Sequence, residues 1–380
     1  MRAIWAMGML LLVLGCGSKS GNQASADPTV PPASQIGTQG AARLLTQGTF
    51  GPTLDEIHAT AVQSYDQWFA TQAAAEPSFI LDQVPQSNSD RLLPWWTVAV
   101  NSPDQLRQRM AFALSQIFVV SGASGLENQG VASYSDLLVA HSLGNFRDLL
   151  DAVSRSPVMG QYLSFFRNDK ANPLTGSHAD ENYARELMQL FTVGLVMLNP
   201  DGTVKTDAAG NPIPAYGLPE VENLARVFTG WASNPIPPSK VGDENAWRYE
   251  LDDLNPMAPY EAHHDTGAKT LIGGVVIPAG GTCESDLKVA LDTLFQHPNV
   301  GPFIGRKLIQ RLVTSNPSPA YLSRVSATFA DDGTGVRGNL ELIRKLLQPA
   351  ASRSRLQRDG GAPGSSPLSS RIEPVAFGNA

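Results

Sequence analysis

Only two cysteines occur in 380 residues, Cys16 and Cys283. That scarcity excludes a disulfide scaffold and a cysteine-rich zinc module. Charge is sparse too: 17% of residues are charged, and 35 acidic side chains outnumber 28 basic ones. The net charge of −7 comes with no basic stripe, so no nucleic-acid partner is expected. No apolar run reaches the roughly 20 residues that a membrane-spanning helix needs. Repeats at a solenoid period are missing. So are a Gly-rich phosphate loop, a serine nucleophile elbow and a helical His-Glu-x-x-His. No motif-based case therefore exists for nucleotide, serine-hydrolase or zincin chemistry.

What is present starts at the N-terminus. Met1 and Arg2 give a brief positive start, and Ala3 to Leu14 is an apolar run of signal-peptide length. It ends in Val13-Leu14-Gly15-Cys16, which resembles the bacterial lipobox. Residues 1–16 thus read as a lipoprotein signal peptide, with Cys16 as the lipidation site. Its acyl chains would anchor the protein at about 0.8 kcal/mol per buried methylene. Cleavage after Ala24-Ser25-Ala26 is the competing reading. Residues 17–36, rich in Ser, Gly, Ala, Pro and Gln, read as a flexible tether. No acidic residue directly follows Cys16, which resembles sorting to the outer membrane; the expected place is the cell envelope. With Cys16 lipidated, Cys283 has no partner and reads as a buried thiol.

Residues 37–348 read as one large, mainly α-helical domain with a small β-hairpin element. Leu106, Met110, Ala113, Leu114 and Ile117 form one apolar face of a helix over 104–120. Further helices are expected over 53–74, 90–101, 134–143, 145–155, 180–193, 219–231, 285–296, 299–314, 318–330 and 337–348. Strand signals are few. The best runs from Lys269 to Ile277, with Trp247 to Leu251 as its pairing candidate. Asp201-Gly202 and Gly210-Asn211-Pro212 mark a small hairpin within 199–218. Trp95, Trp96 and Trp231 are expected in the core. Helical periodicity stops after 348. Residues 349–380, rich in Ser, Arg, Gly and Pro, read either as a disordered tail or as the product of a shifted reading frame.

Several stretches resemble one bacterial family, that labelled domain of unknown function 1800. They are Ala42-Arg43-Leu44-Leu45 through Phe50-Gly51-Pro52-Thr53, Arg107-Gln108-Arg109-Met110, and Glu181-Asn182-Tyr183-Ala184-Arg185-Glu186-Leu187. Leu224-Ala225-Arg226-Val227-Phe228-Thr229-Gly230-Trp231, His264-Asp265-Thr266-Gly267-Ala268-Lys269-Thr270 and His297-Pro298 through Arg306-Lys307-Leu308 follow. The resemblance implies an exported helical protein whose gene neighbours another exported family related to sulfatases and phosphatases. It also implies a chain that continues past the point where this one ends.

Two segments carry candidate chemistry. Asn182, Arg185, Glu186 and Gln189 are spaced three or four apart and form one polar stripe on a helix. Ser177 and Asp180 stand at capping-box spacing before it. The stripe is either an ion-pair network, with Glu181 and Arg185 at i,i+4, or a site. The second segment is His263-His264-Asp265 in a polar loop. It could bind a divalent metal or supply a general base with an orienting acid, or simply make turn hydrogen bonds. His178 and Glu181, at i,i+3, could join it. Asp201, Asp207 and Asn211 faintly suggest calcium, and turn chemistry explains them as well.

Two functional classes follow. One is an accessory or binding lipoprotein acting with an exported sulfatase-like partner. The other is an envelope hydrolase with Glu186, Arg185, His264 and Asp265 as catalytic residues. There Asn182 and Glu181 would bind, and His263, His264 and His178 would ligate a metal.

Overall fold

The computed structural model describes residues 35–85, 91–122, 125–233, 252–340 and 346. These lie in one compact unit that starts at Gln35. The expected signal peptide at 1–16 with Cys16, most of the 17–36 tether, the 247–251 segment, most of the 337–348 helix and the 349–380 tail lie outside the described residues.

Helices dominate because apolar residues recur at 3.6-residue spacing and polar caps start the turns. The series begins with α1 (Thr38–Gly48), α2 (Leu54–Ala61) and α3 (Tyr65–Ala74). It continues through α4 (Leu92–Asn101), α5 (Gln105–Ser115), α6 (Asn128–His141), α7 (Phe146–Arg155) and α8 (Pro157–Tyr162). After α9 (Asn182–Glu186) come α10 (Leu218–Val227), α11 (Cys283–Gln296), α12 (Val300–Leu312) and α13 (Pro319–Ala330). α7 shows the logic best. Phe146, Leu149, Leu150 and Val153 are all buried along one face, and Asn145 caps the start by accepting from the Arg147 N–H.

Among the described residues, four strands of two residues each make two antiparallel pairs: β1 (Trp231–Ala232) with β2 (Ala258–Pro259), and β3 (Lys269–Thr270) with β4 (Val276–Ile277). The molecule is mainly α with small β elements. No helix among the described residues is long and apolar enough to cross a membrane.

Local chemistry shifted several expected boundaries. The single helix expected over 53–74 is two, because Ser64 and Gln67 form a capping box that starts α3 afresh. The helix expected to reach Trp231 stops at Val227, and Trp231 enters β1 instead. Lys269–Ile277 is not one strand. Gly273 and Gly274, with φ of +73° and +76°, turn it back so that Lys269 pairs with Ile277. Ser177 and Asp180 form no capping box: Asp180 accepts from the Asn182 N–H, while Ser177 bonds to Thr175. Trp231 is buried and Trp95 half-buried, but Trp96 is exposed, against expectation.

The core runs through the middle of the bundle. Phe165 stacks on Tyr183 at 4.1 Å, Tyr183 meets Phe228 edge-on at 4.7 Å, and Phe118 lies 5.1 Å from Phe191. The Tyr183 hydroxyl shares a hydrogen bond with Ser154 at 2.8 Å. These contacts fix α9 against α7 and α10.

The 195–215 region forms the expected hairpin and extends it. Bridges link Val196 with Pro214, Leu198 with Val204 and Thr206 with Pro212, so the chain doubles back twice. Asp201 accepts from Thr203 at one turn, and Asp207 from Ala209 and Asn211 at the other. Both carboxylates are held below their usual range by those bonds.

Candidate functional site

Three places carry concentrated polar chemistry. The first is buried where α10, β3 and the start of α11 meet. Lys269 and His264 are each about 1% exposed, as is Asp286 in the first turn of α11. Lys269 Nζ donates to Asp286 Oδ2 at 2.7 Å, to the Gly267 carbonyl at 3.1 Å, and to the Asp265 carbonyl. His264 Nδ1 meets the Thr229 carbonyl at 2.9 Å, and Nε2 meets Asp286 Oδ2 at 3.2 Å. Both ring nitrogens of His264 thus have an oxygen partner. Around this centre, Asp265 takes a two-pronged bond from Arg226 at 2.8 and 2.9 Å. The guanidinium holds the Asp265 carboxyl below its usual range.

Gly230 makes the approach possible. At φ +81°, a Cβ there would stand 2.9 Å from the Tyr260 carbonyl and 3.0 Å from Cys283 Sγ. Cys283 is buried and unpaired, and burial pushes its thiol up to about 12. A thiol so seldom ionised is a poor nucleophile or metal ligand. The cluster is a set of charges each met by a partner, pinning the 261–282 loop to the helices.

The second place is the polar stripe on α9. Arg185 bonds Glu181 at 2.7 Å, and Arg185 and Asn182 face solvent. Glu186 differs: its Oε2 is buried without a hydrogen-bond partner among the described residues, as is the hydroxyl of Tyr216. The Glu186 charge helps hold the Tyr216 phenol above its usual range, behind burial as the larger cause. Directly after Glu186 the helix widens into a π-turn over Leu187–Thr192, with Thr192 Oγ1 donating to the Leu187 carbonyl at 2.6 Å. Such turns recur at functional sites.

The third place is a surface groove between α6, α7 and residues 253–256. Two adjoining hollows, of about 350 and 690 Å³, share Leu137, Ala152, Arg155 and Pro256 in their walls. Among the described residues, six carboxylates line them, Asp82, Asp136, Asp148, Asp151, Asp253 and Asp292, against Arg147 and Arg155. Arg155 is held in place by Asp151 at 2.7 Å and by both oxygens of Glu284. Asp136 accepts from the Ile80 and Leu81 N–H groups at 2.8 and 2.9 Å. Burial outweighs those bonds and raises its carboxyl to about 6; burial also raises Asp253.

Sequence candidates are thus divided among separate places. His264 and Asp265 belong to the buried cluster. Adjacent His263 points elsewhere, to Asp169 Oδ2 at 3.1 Å. His178 is exposed. Among the described residues no group of three His, Cys, Asp or Glu side chains is arranged to hold a metal ion. No hydrogen bond or ion pair joins Glu186 or Arg185 to His264 or Asp265. Sequence reasoning missed Lys269, Asp286 and Thr229, and all of the groove. Lys269 stood at the head of the Lys269–Ile277 segment, between Gly267-Ala268 and Thr270, where nothing local marked it as buried.

A family model described as protein of unknown function (DUF1800) matches residues 43–366. The chain belongs to the DUF1800 family. No curated protein and no solved structure matches it. Both the α9 stripe and the buried cluster of this DUF1800 chain fall inside the matched span, as does the groove. The span also runs past residue 348, where the helical domain was expected to end.

Proposed function

We propose that this chain is an exported binding lipoprotein of the cell envelope, anchored through Cys16 at the outer membrane. Its groove would hold a hydroxyl-rich segment of an envelope polymer, in company with an exported sulfatase-like partner. The groove is the observation that carries this reading. Its volume suits a ligand of several rings. Its carboxylates accept from hydroxyls, its fixed arginines donate, and Phe79 in the wall, 46% exposed, offers an apolar platform to a sugar face.

The test is calorimetric titration with oligosaccharides released from the producing strain's envelope polymer. Binding that weakens at least tenfold in Phe79→Ala and Asp148→Ala, and not in Glu186→Gln, supports the binding role. Both groove positions are partly or fully exposed, so neither change threatens the fold.

One observation favours the hydrolase reading instead. Among the described residues the Glu186 oxygen, directly before a π-turn, and the Tyr216 hydroxyl are buried without a hydrogen-bond partner. If the polymer is cleaved, and Glu186→Gln stops cleavage with the fold intact, the enzyme reading replaces the binding one.

A further inference from the structure

The sequence of α4, LLPWWTVAVN, contains no charged side chain. One face packs inward: Val98 and Ala99 are buried, and the Trp95 ring lies 5.7 Å from Phe50 and 5.5 Å from Phe112. The opposite face is left uncovered. Leu92, Leu93, Trp96 and Val100 are 53%, 70%, 54% and 57% exposed. Leu93, Trp96 and Val100 are three and four apart, and Leu92 lies four before Trp96, so they form one stripe along the helix. Exposed apolar residues scattered singly need no explanation, but a contiguous stripe calls for one.

The polar groups on this face are already satisfied from within. Thr97 Oγ1 donates to the Leu93 carbonyl at 2.8 Å, and the Asn101 amide donates to the Thr97 carbonyl at 2.9 Å. Moving the face toward lipid therefore strands neither of these two side chains, while the Trp96 indole N–H and the first-turn N–H groups can be met by headgroup oxygens.

We infer that this face of α4 rests on the lipid bilayer that carries the anchor. The inference builds on the lipid-anchor reading above. Eighteen residues, 17–34, would join Cys16 to Gln35, the first described residue. From there α1 extends roughly 16 Å, and Phe50, just beyond its end, is in contact with Trp95 on α4. An acylated Cys16 would bring the domain to a bilayer, where an uncharged tryptophan–leucine face meets an apolar phase. A tryptophan flanked by leucines suits the headgroup boundary, where an amphipathic ring has one apolar and one wet side.

The experiment uses the full exported protein, with the mass of its Cys16 peptide measured first. It is reconstituted in phosphatidylcholine vesicles whose acyl chains carry bromine near the headgroup, a short-range quencher of tryptophan. The expected result is a fluorescence loss relative to unbrominated vesicles that Trp96→Phe removes and Leu93→Gln with Val100→Gln reduces. Equal fluorescence in the two vesicles, or a loss retained in Trp96→Phe, overturns the proposal. Absent quenching together with a dimer mass by light scattering that Leu93→Gln returns to monomer assigns the face to a second copy and also overturns it. If Cys16 proves unmodified, the anchor reading fails. Vesicles added to the unanchored protein then still decide the α4 face by the same Trp96-dependent loss.

Discussion

Lys269 belongs to a residue type that is almost always solvated, yet here it is among the largest fully buried side chains. Three acceptors surround its ammonium, and one of them, Asp286, also faces His264. Removing the cation leaves a buried carboxylate whose side-chain partners are His264 and the Ser285 hydroxyl. Lys269→Met is therefore expected to lower stability by about 3–5 kcal/mol, read as a drop in the urea midpoint. Asp265→Asn, at a partly buried pair nearer the surface, should cost less, roughly 1 kcal/mol. An equal effect from both would mean that the cluster is wetter than its packing indicates. The sequence pointed to His264 and Asp265 because loop His and Asp invite suspicion. Their partners were not legible, since Thr229 and Asp286 come from elements far along the chain and meet them only after folding.

At the scale of elements, one buried side chain ties the 195–215 hairpin to the bundle. Asn299, fully buried before α12, donates to the Val193 and Val196 carbonyls at 3.0 and 2.8 Å and accepts from the Leu198 N–H at 2.9 Å. Asn299→Ala should cost about 2–3 kcal/mol by orphaning these backbone groups. Hydrogen exchange should rise first at 195–215 and not in α7, whose protection reports global opening. Uniform acceleration would show that the hairpin does not open by itself. Most helices were legible because amphipathic spacing and capping residues are local signals. Some errors were local signals passed over, the Ser64–Gln67 capping box and the Gly273-Gly274 turn, and others occurred where a longer-range demand intervened. Val227 ends α10 early because Gly230 must pass between Tyr260 and Cys283, and the π-turn after Glu186 has no sequence signature.

For the whole molecule, Asp136 links stability to pH. Its folded carboxyl is raised to about 6 from the ordinary 3.8, so the folded state holds the proton more tightly than the unfolded one. Its contribution is greatest below the unfolded value and is lost as pH rises through about 6, a change of roughly 3 kcal/mol. Urea midpoints between pH 4 and 7 should therefore show a smaller stability loss with rising pH in Asp136→Asn than in the unsubstituted protein. Parallel profiles would contradict it. Comparison with the variant is needed because His297, lowered to about 4 by burial, acts in the opposite direction: its share is lost as pH falls.

The sequence alone determined the mainly helical class, the family resemblance, the hairpin turns and the polar stripe of α9. Each depends on residues close together in the chain, where spacing and side-chain chemistry act directly. Only the tertiary structure decided that Lys269 and Asp286 are buried partners and that Trp96 faces outward. It alone set six carboxylates and two arginines around one groove. Those features depend on which distant segments meet, and that is set by how the apolar faces pack rather than by any local pattern.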